Sequence, residues 1–141
     1  MHALARYWID EVLARSPFAT ILGIDIPEAA PDRVVVRLPF RPDLATVGTV
    51  VHGGAIATLV DIAGAAASGS GIVDDDVAGG ATSQLDVAYL VAADGCDLFA
   101  EALVVQRSRS QTVSDVFVRD GKGRLIAKGM VTSRLFRKRD A

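Results

Sequence analysis

The sequence predicts an α+β domain in which an antiparallel β-sheet wraps one long central helix. Two features carry that prediction. Residues 53–69 combine helical periodicity with an almost uncharged composition, which suits burial along most of their length. Two strand-like segments precede this stretch and four follow it in succession, the pattern of strands that pair with sequence neighbours rather than through helical crossovers.

Each element has its own signal. Residues 4–15 align Leu4, Trp8 and Val12, with Ile9 and Leu13 beside them, the three-to-four spacing of an amphipathic helix. Ser16-Pro17 is read as its end, so residues 1–16 are assigned to an N-terminal helix lying across a sheet edge or mouth. Residues 20–26 and 33–40 read as strands joined by the turn-rich stretch 27–32. A loop containing Pro42 and Gly48 leads to the helix at 53–69. Beyond Gly71 and the acidic Asp74-Asp75-Asp76, strands are expected at 81–90, 98–107, 111–119 and 125–136, with Gly121-Lys122-Gly123 turning between the last two. Residues 137–141, with Arg137, Lys138 and Arg139, read as a solvated tail, and residues 1–141 as one domain without linkers or repeats.

Composition narrows the function. With 141 residues, 50% hydrophobic content and a net charge of -2, the chain has ample core and no basic field for nucleic acid. The N-terminal residues lack a signal-peptide core, and no apolar run is long enough for a bilayer, so a cytoplasmic protein without membrane partners is expected. Cys96 is the single cysteine and lies in a polar turn without a histidine near it in sequence; no role is expected for it. His2 and His52 are the only histidines, so no metal site is expected.

The chemistry concentrates around the central helix. Asp61 is its one charge, and a buried carboxylate without a partner costs several kcal/mol, which makes it the leading functional candidate. His52-Gly53-Gly54 opens the helix, where unpaired N–H groups and the helix dipole favour an oxygen gaining negative charge, and glycine lets a substrate approach the backbone. Ile56, Leu59, Val60 and Ala63 give the helix a greasy side; Gly54, Ala57, Asp61, Gly64, Ala65 and Ser68 give it a side of small residues, open to a neighbouring helix or a thin ligand arm. Eight helical steps put Asp61 roughly 12 Å from Gly53, so one chain does not readily bring both to one carbonyl.

The segment Gly48-Thr49-Val50-Val51-His52-Gly53-Gly54 with Asp61 resembles the signature of hotdog-fold acyl-CoA thioesterases of the PaaI and thioesterase-superfamily-member-2 type. The likeness continues through Thr82-Ser83-Gln84-Leu85-Asp86-Val87-Ala88-Tyr89-Leu90, Val104-Val105-Gln106-Arg107-Ser108-Arg109-Ser110 and the run from Asp120 to Gly129. It implies the hotdog fold and hydrolysis of acyl-CoA thioesters, with CoA as part of the substrate and no separate cofactor. It also implies a homodimer, or a dimer of dimers, in which antiparallel central helices bring His52 and Gly53 of one chain toward Asp61 of the other. Gly53 N–H would polarise the thioester carbonyl, and Asp61 would act as general base or as nucleophile. Thr82, or Ser83 beside it, would hold the water, and His52 would cap the helix or protonate the leaving thiolate. Arg107, Ser108, Arg109 and Ser110 would meet the CoA nucleotide.

One departure stands out. Many relatives have an asparagine in the loop before the histidine as a second donor to the carbonyl; this chain has no asparagine, and Thr46 occupies the corresponding count. The alternatives are a noncatalytic acyl-CoA-binding protein, expected to need an output module for which 141 residues leave no room, and a hotdog hydratase or dehydratase, whose proline-rich loop differs from Val50-Val51-His52-Gly53-Gly54. A helix side of alanine and glycine, with 6% aromatic residues, suggests a smooth slot for medium-chain or aryl-acetyl groups, since one methylene changes binding by only about 1–3 kcal/mol in such a slot.

Overall fold

The computed structural model describes residues 1–138. Six strands form one antiparallel sheet in the order β1-β2-β4-β5-β6-β3. They are β1 (Asp25–Ala30), β2 (Arg33–Leu38), β3 (Val77–Tyr89), β4 (Leu98–Arg107), β5 (Gln111–Asp120) and β6 (Leu125–Arg137). The helix α3 (Gly53–Ser70) lies against one face, packing on β2, β4, β5 and β6. Its Leu59, Val60, Ala63, Ala66 and Ala67 are fully buried against Val34, Val36, Leu98, Val116, Ile126 and Val131. Alternation along β5, with Thr112, Ser114, Val116 and Val118 inward, is the period-two pattern of a sheet with one covered face.

The helix lies close on the sheet where glycines face it. A Cβ built on Gly64 would stand 2.4 Å from Val131 Cβ, and one built on Gly129 of β6 would stand 2.4 Å from Val60 Cγ1. Each valine thus fills the space above the opposite element's glycine. Gly64 and Ser68, expected on the small-residue side, are therefore buried against the sheet, and Ser68 donates to Thr112 Oγ1 at 3.2 Å. The half-buried side of α3 carries Ala57, Thr58, Asp61, Ile62 and Ala65.

The N-terminal region differs from its expected form. The first helical segment divides into α1 (Ala3–Tyr7) and a π-helical stretch (Trp8–Leu13) whose end is closed by Ala14 N–H to Ile9 O. Residues 17–22, partly expected as strand, form α2 (Pro17–Leu22). Ser16 caps it through its hydroxyl, Pro17 occupies the first turn, and Gly23 ends it in the left-handed region at φ 72°. These end signals outweigh the strand preference of Thr20 and Ile21. The strand expected at 20–26 lies instead at β1, and the turn shrinks to Pro31-Asp32. Pro27 is tolerated because β1 is an edge strand with a register shift between Asp25 and Glu28. Arg137 belongs to β6 rather than a tail and binds Arg109 O and Asp74; Arg139 lies outside the described residues.

Candidate active site

Asp61 is half-buried on the exposed side of α3, and Thr82 Oγ1 donates to its Oδ1 at 2.5 Å. The pairing depends on an irregularity in β3. Thr82 stands opposite Ser133 and Gln84 opposite Thr132, so Ser83 is an extra residue in the ladder, a bulge that re-aims its neighbour. Ser83 donates its own hydroxyl to Thr132 O at 3.2 Å. Of the two hydroxyls expected near Asp61, the structure thus brings Thr82 there and turns Ser83 away. Asp61 and Thr82 line a cavity of about 380 Å³ whose other walls include Trp8, Leu13, Ile62 and Leu135, so the carboxylate faces a mostly apolar slot roofed by the N-terminal helices.

The start of α3 forms a second centre. His52 is the N-cap, with an extended backbone, and its Nδ1 accepts the Gly54 N–H at 2.8 Å. Capping is therefore what this imidazole does, and a neutral ring in this pose carries its proton on Nε2. The cap also explains the second glycine: a Cβ on residue 54 would lie 3.0 Å from His52 Nδ1. Gly53 N–H has no acceptor among the described residues and remains available to a ligand oxygen. The loop before it is pinned by Thr46 N–H to Val50 O at 2.8 Å, His52 N–H to Leu44 O at 2.8 Å and the Thr49 hydroxyl on Asp94. Thr46 is exposed and lines a depression of about 310 Å³ together with Gly53 and Tyr89.

Tyr89 is the residue that sequence reasoning missed. Its hydroxyl donates to Gly53 O at 2.7 Å, and its ring covers the place where a Gly53 Cβ would stand, 3.4 Å away. Only an aromatic residue near the end of a strand announced it, and its partner lies 36 positions earlier.

Of the residues expected at the CoA nucleotide, Arg107 is engaged within the chain. Its guanidinium points inward to the C-terminal end of α3, donating to Ala67 O at 3.0 Å and Ser68 O at 2.9 Å, and pairs with Asp32 at 2.8 Å. A cation there meets the negative end of the helix dipole, so Arg107 acts as a cap. Gly71 leaves room for it, since a Cβ there would lie 2.3 Å from the guanidinium in this pose. Ser108 turns its hydroxyl to Gln111 O at 3.3 Å, and Ser110 O accepts from Leu135 N–H. Arg109 is exposed, with Asp76 at 3.4 Å. Cys96 is half-buried against the core, and burial pushes its thiol up. Among the described residues no helix is long and apolar enough to cross a membrane.

The comparisons with known proteins converge. The profile described as Thioesterase superfamily matches residues 48–127, a span that includes His52, Gly53, Asp61, Thr82 and Tyr89. A protein of Halobacterium salinarum named as a candidate esterase is 33% identical over 84% of this chain and 83% of its own. The PaaI protein of the E. coli phenylacetic acid degradation operon superposes with a TM-score of 0.82, covering 94% of this chain and 93% of that one at 22% identity, which identifies the fold as the hotdog. Zebra fish thioesterase superfamily member 2 gives a TM-score of 0.73 at 29% identity, over 88% of this chain and 91% of its own.

Proposed function

Because the chain belongs to the thioesterase superfamily, we propose that it hydrolyses acyl-CoA thioesters to the free acid and CoA, with medium-chain or aryl-acetyl groups in the slot. The observation that carries this reading is the Asp61 carboxylate, held by Thr82 at an apolar cavity sized for a small ligand. Thr82 occupies Oδ1 and leaves Oδ2 for a water. As general base, Asp61 takes that water's proton while the oxygen attacks the thioester carbonyl; as nucleophile, it attacks directly and water then cleaves the anhydride. In either route the oxyanion forms against the Gly53 N–H, and collapse expels the CoA thiolate. Thr46 supplies the hydroxyl nearest in role to the missing amide, and the His52 Nε2–H is a donor for the leaving sulfur.

The active unit in this reading is a dimer. Gly53 and Asp61 line separate hollows of one chain. Strand β3 is a free edge of 13 residues, exposed along nearly all its length, the kind of edge that folded proteins otherwise cover or keep short. A second copy paired there, with helices antiparallel, supports a site built from Gly53 of one chain and Asp61 of its partner.

The test is free-thiol release across a panel of acyl-CoAs. Asp61→Asn should lower turnover more than about a hundredfold, as for a lost general base, while remaining folded. Gly53→Pro is the companion: residue 53 is the first helical position and His52 is already extended, so the backbone accepts proline, which removes the N–H and sets its ring against Tyr89. Mixing the two inactive variants should restore activity through dimers with one intact site. Near wild-type turnover in folded Asp61→Asn, or stoichiometric acyl-CoA binding by wild type without CoA release, would overturn the proposal.

A further inference from the structure

Tyr89 has no part in the reaction as described above, yet it touches the peptide unit that directly follows the oxyanion donor, sharing the Gly53 Cα with the peptide that carries that N–H. Its hydroxyl donates to the Gly53 carbonyl at 2.7 Å, and the N–H of that same peptide unit, contributed by Gly54, donates to His52 Nδ1 at 2.8 Å. The peptide between Gly53 and Gly54 is thus gripped at both ends. Glycine backbones otherwise sample a wide range of conformations, and two in succession would let the helix start wander. The Tyr89 ring closes a further direction by lying over Gly53 itself. The residue is 53% exposed, so its hydroxyl exchanges a water partner for the carbonyl and adds little to global stability.

We propose that Tyr89 is a positioning residue that holds the Gly53 N–H aimed at the developing oxyanion. The inference rests on the thioesterase reading. Donors act best when they need no reorganisation at the moment charge develops, so loosening this one raises the barrier without weakening ground-state binding.

Tyr89→Phe keeps the ring and deletes the hydroxyl. Loss of a whole oxyanion donor costs about 10²–10³ in kcat, and a loosened donor should cost a part of that, about tenfold, with KM unchanged. Binding of a thioether analogue of acyl-CoA, which has no carbonyl, should also be unchanged. In the free protein, hydrogen exchange at the Gly54 amide, which is bonded to His52 Nδ1, should accelerate while the thermal midpoint stays in place, a pattern that a general structural role does not give. Unchanged kcat with unchanged exchange would overturn the proposal, as would a parallel loss of thioether binding, which would make Tyr89 a substrate contact. A wild-type protein that releases no CoA would instead sink the thioesterase reading, and amide exchange would still decide whether Tyr89 holds the turn.

Discussion

Replacing Gly64 by alanine tests how closely α3 sits on the sheet. The added Cβ would meet Val131 Cβ at 2.4 Å and both its γ carbons at 2.6 Å, against an ordinary contact of 3.4 Å or more. Because the nearest atom is the Val131 Cβ itself, rotation of that side chain brings no relief; the helix must withdraw by about 1 Å. Overpacking of this kind costs about 1–3 kcal/mol. The helix preference of alanine over glycine returns up to about 1 kcal/mol. With Cβ against Cβ at 2.4 Å the cost belongs to the upper part of that range, so a net loss on the order of 1–2 kcal/mol follows, which for a domain of this size lowers Tm by roughly 3–8 °C. Urea and thermal unfolding measure it, and thiol release per folded molecule should fall as well, since Asp61 lies one turn from Gly64 and Thr82 is tied to β6 through β3. Gly129→Ala gives the internal contrast. There the close atom is Val60 Cγ1, with Val60 Cβ at 3.5 Å, so adding Val60→Ala removes the worst of the clash and the pair should show favourable coupling of about 0.5–3 kcal/mol. Val131→Ala should give no such relief to Gly64→Ala. A Gly64→Ala protein as stable as wild type, or one fully relieved by Val131→Ala, would refute the reasoning.

Two further outcomes follow from side chains that fasten the frame. Arg107→Ala should cost about 1.5–3 kcal/mol in urea unfolding, the range for hydrogen bonds to a charged group, because it frees two carbonyls at the end of α3; lysine should recover little, having no fork to reach Ala67, Ser68 and Asp32 together. Equal stability of wild type and Arg107→Ala would remove the capping role. The Asp120 carboxyl is held below the usual carboxylate range, first by the backbone N–H of Arg124, then by that of Lys122, with burial opposing. Its stabilisation of the β5–β6 turn is therefore present above the ordinary carboxylate pKa and is lost as pH falls through the lower, folded value. An NMR titration showing the Asp120 midpoint at or above that of an unstructured aspartate would contradict this.

The readable parts of the fold were those governed by local pattern. The long helix, the last four strands and the glycine turn at residues 121–123 all have their cause within a few residues of themselves. Residues 20–22, expected as the start of a strand, also have helix signals close by in Ser16, Pro17 and Gly23, but the β-branched pair Thr20-Ile21 favours a strand. At the site, Asp61 stood out because charge is costly on such a helix, and the hydroxyl beside it was narrowed to two adjacent residues. Choosing between Thr82 and Ser83 required the bulge, which no local preference encodes. Arg107 has its partners at positions 32, 67 and 68, and Tyr89 has its partner at Gly53, so their roles arise only once the sheet has closed on the helix. The same holds for Gly64, whose side of the helix was misassigned because smallness alone does not say whether a residue admits a neighbouring helix or a strand.

The extra residue at Ser83 makes β3 a matter of counting. Thr82 and Tyr89 are an odd number of positions apart, so on an unbroken strand they would point to opposite faces. Both reach α3, one at Asp61 and one at Gly53, because the bulge between them changes odd to even. The length of this stretch is consequently as restrictive as its composition. Loss or gain of one residue between them would send one end of the strand's attention outward while the other stayed in place, and even a two-residue change, which preserves the faces, would slide one contact along the helix away from its target. A lineage can exchange most side chains along such a strand, but it cannot freely alter the arithmetic.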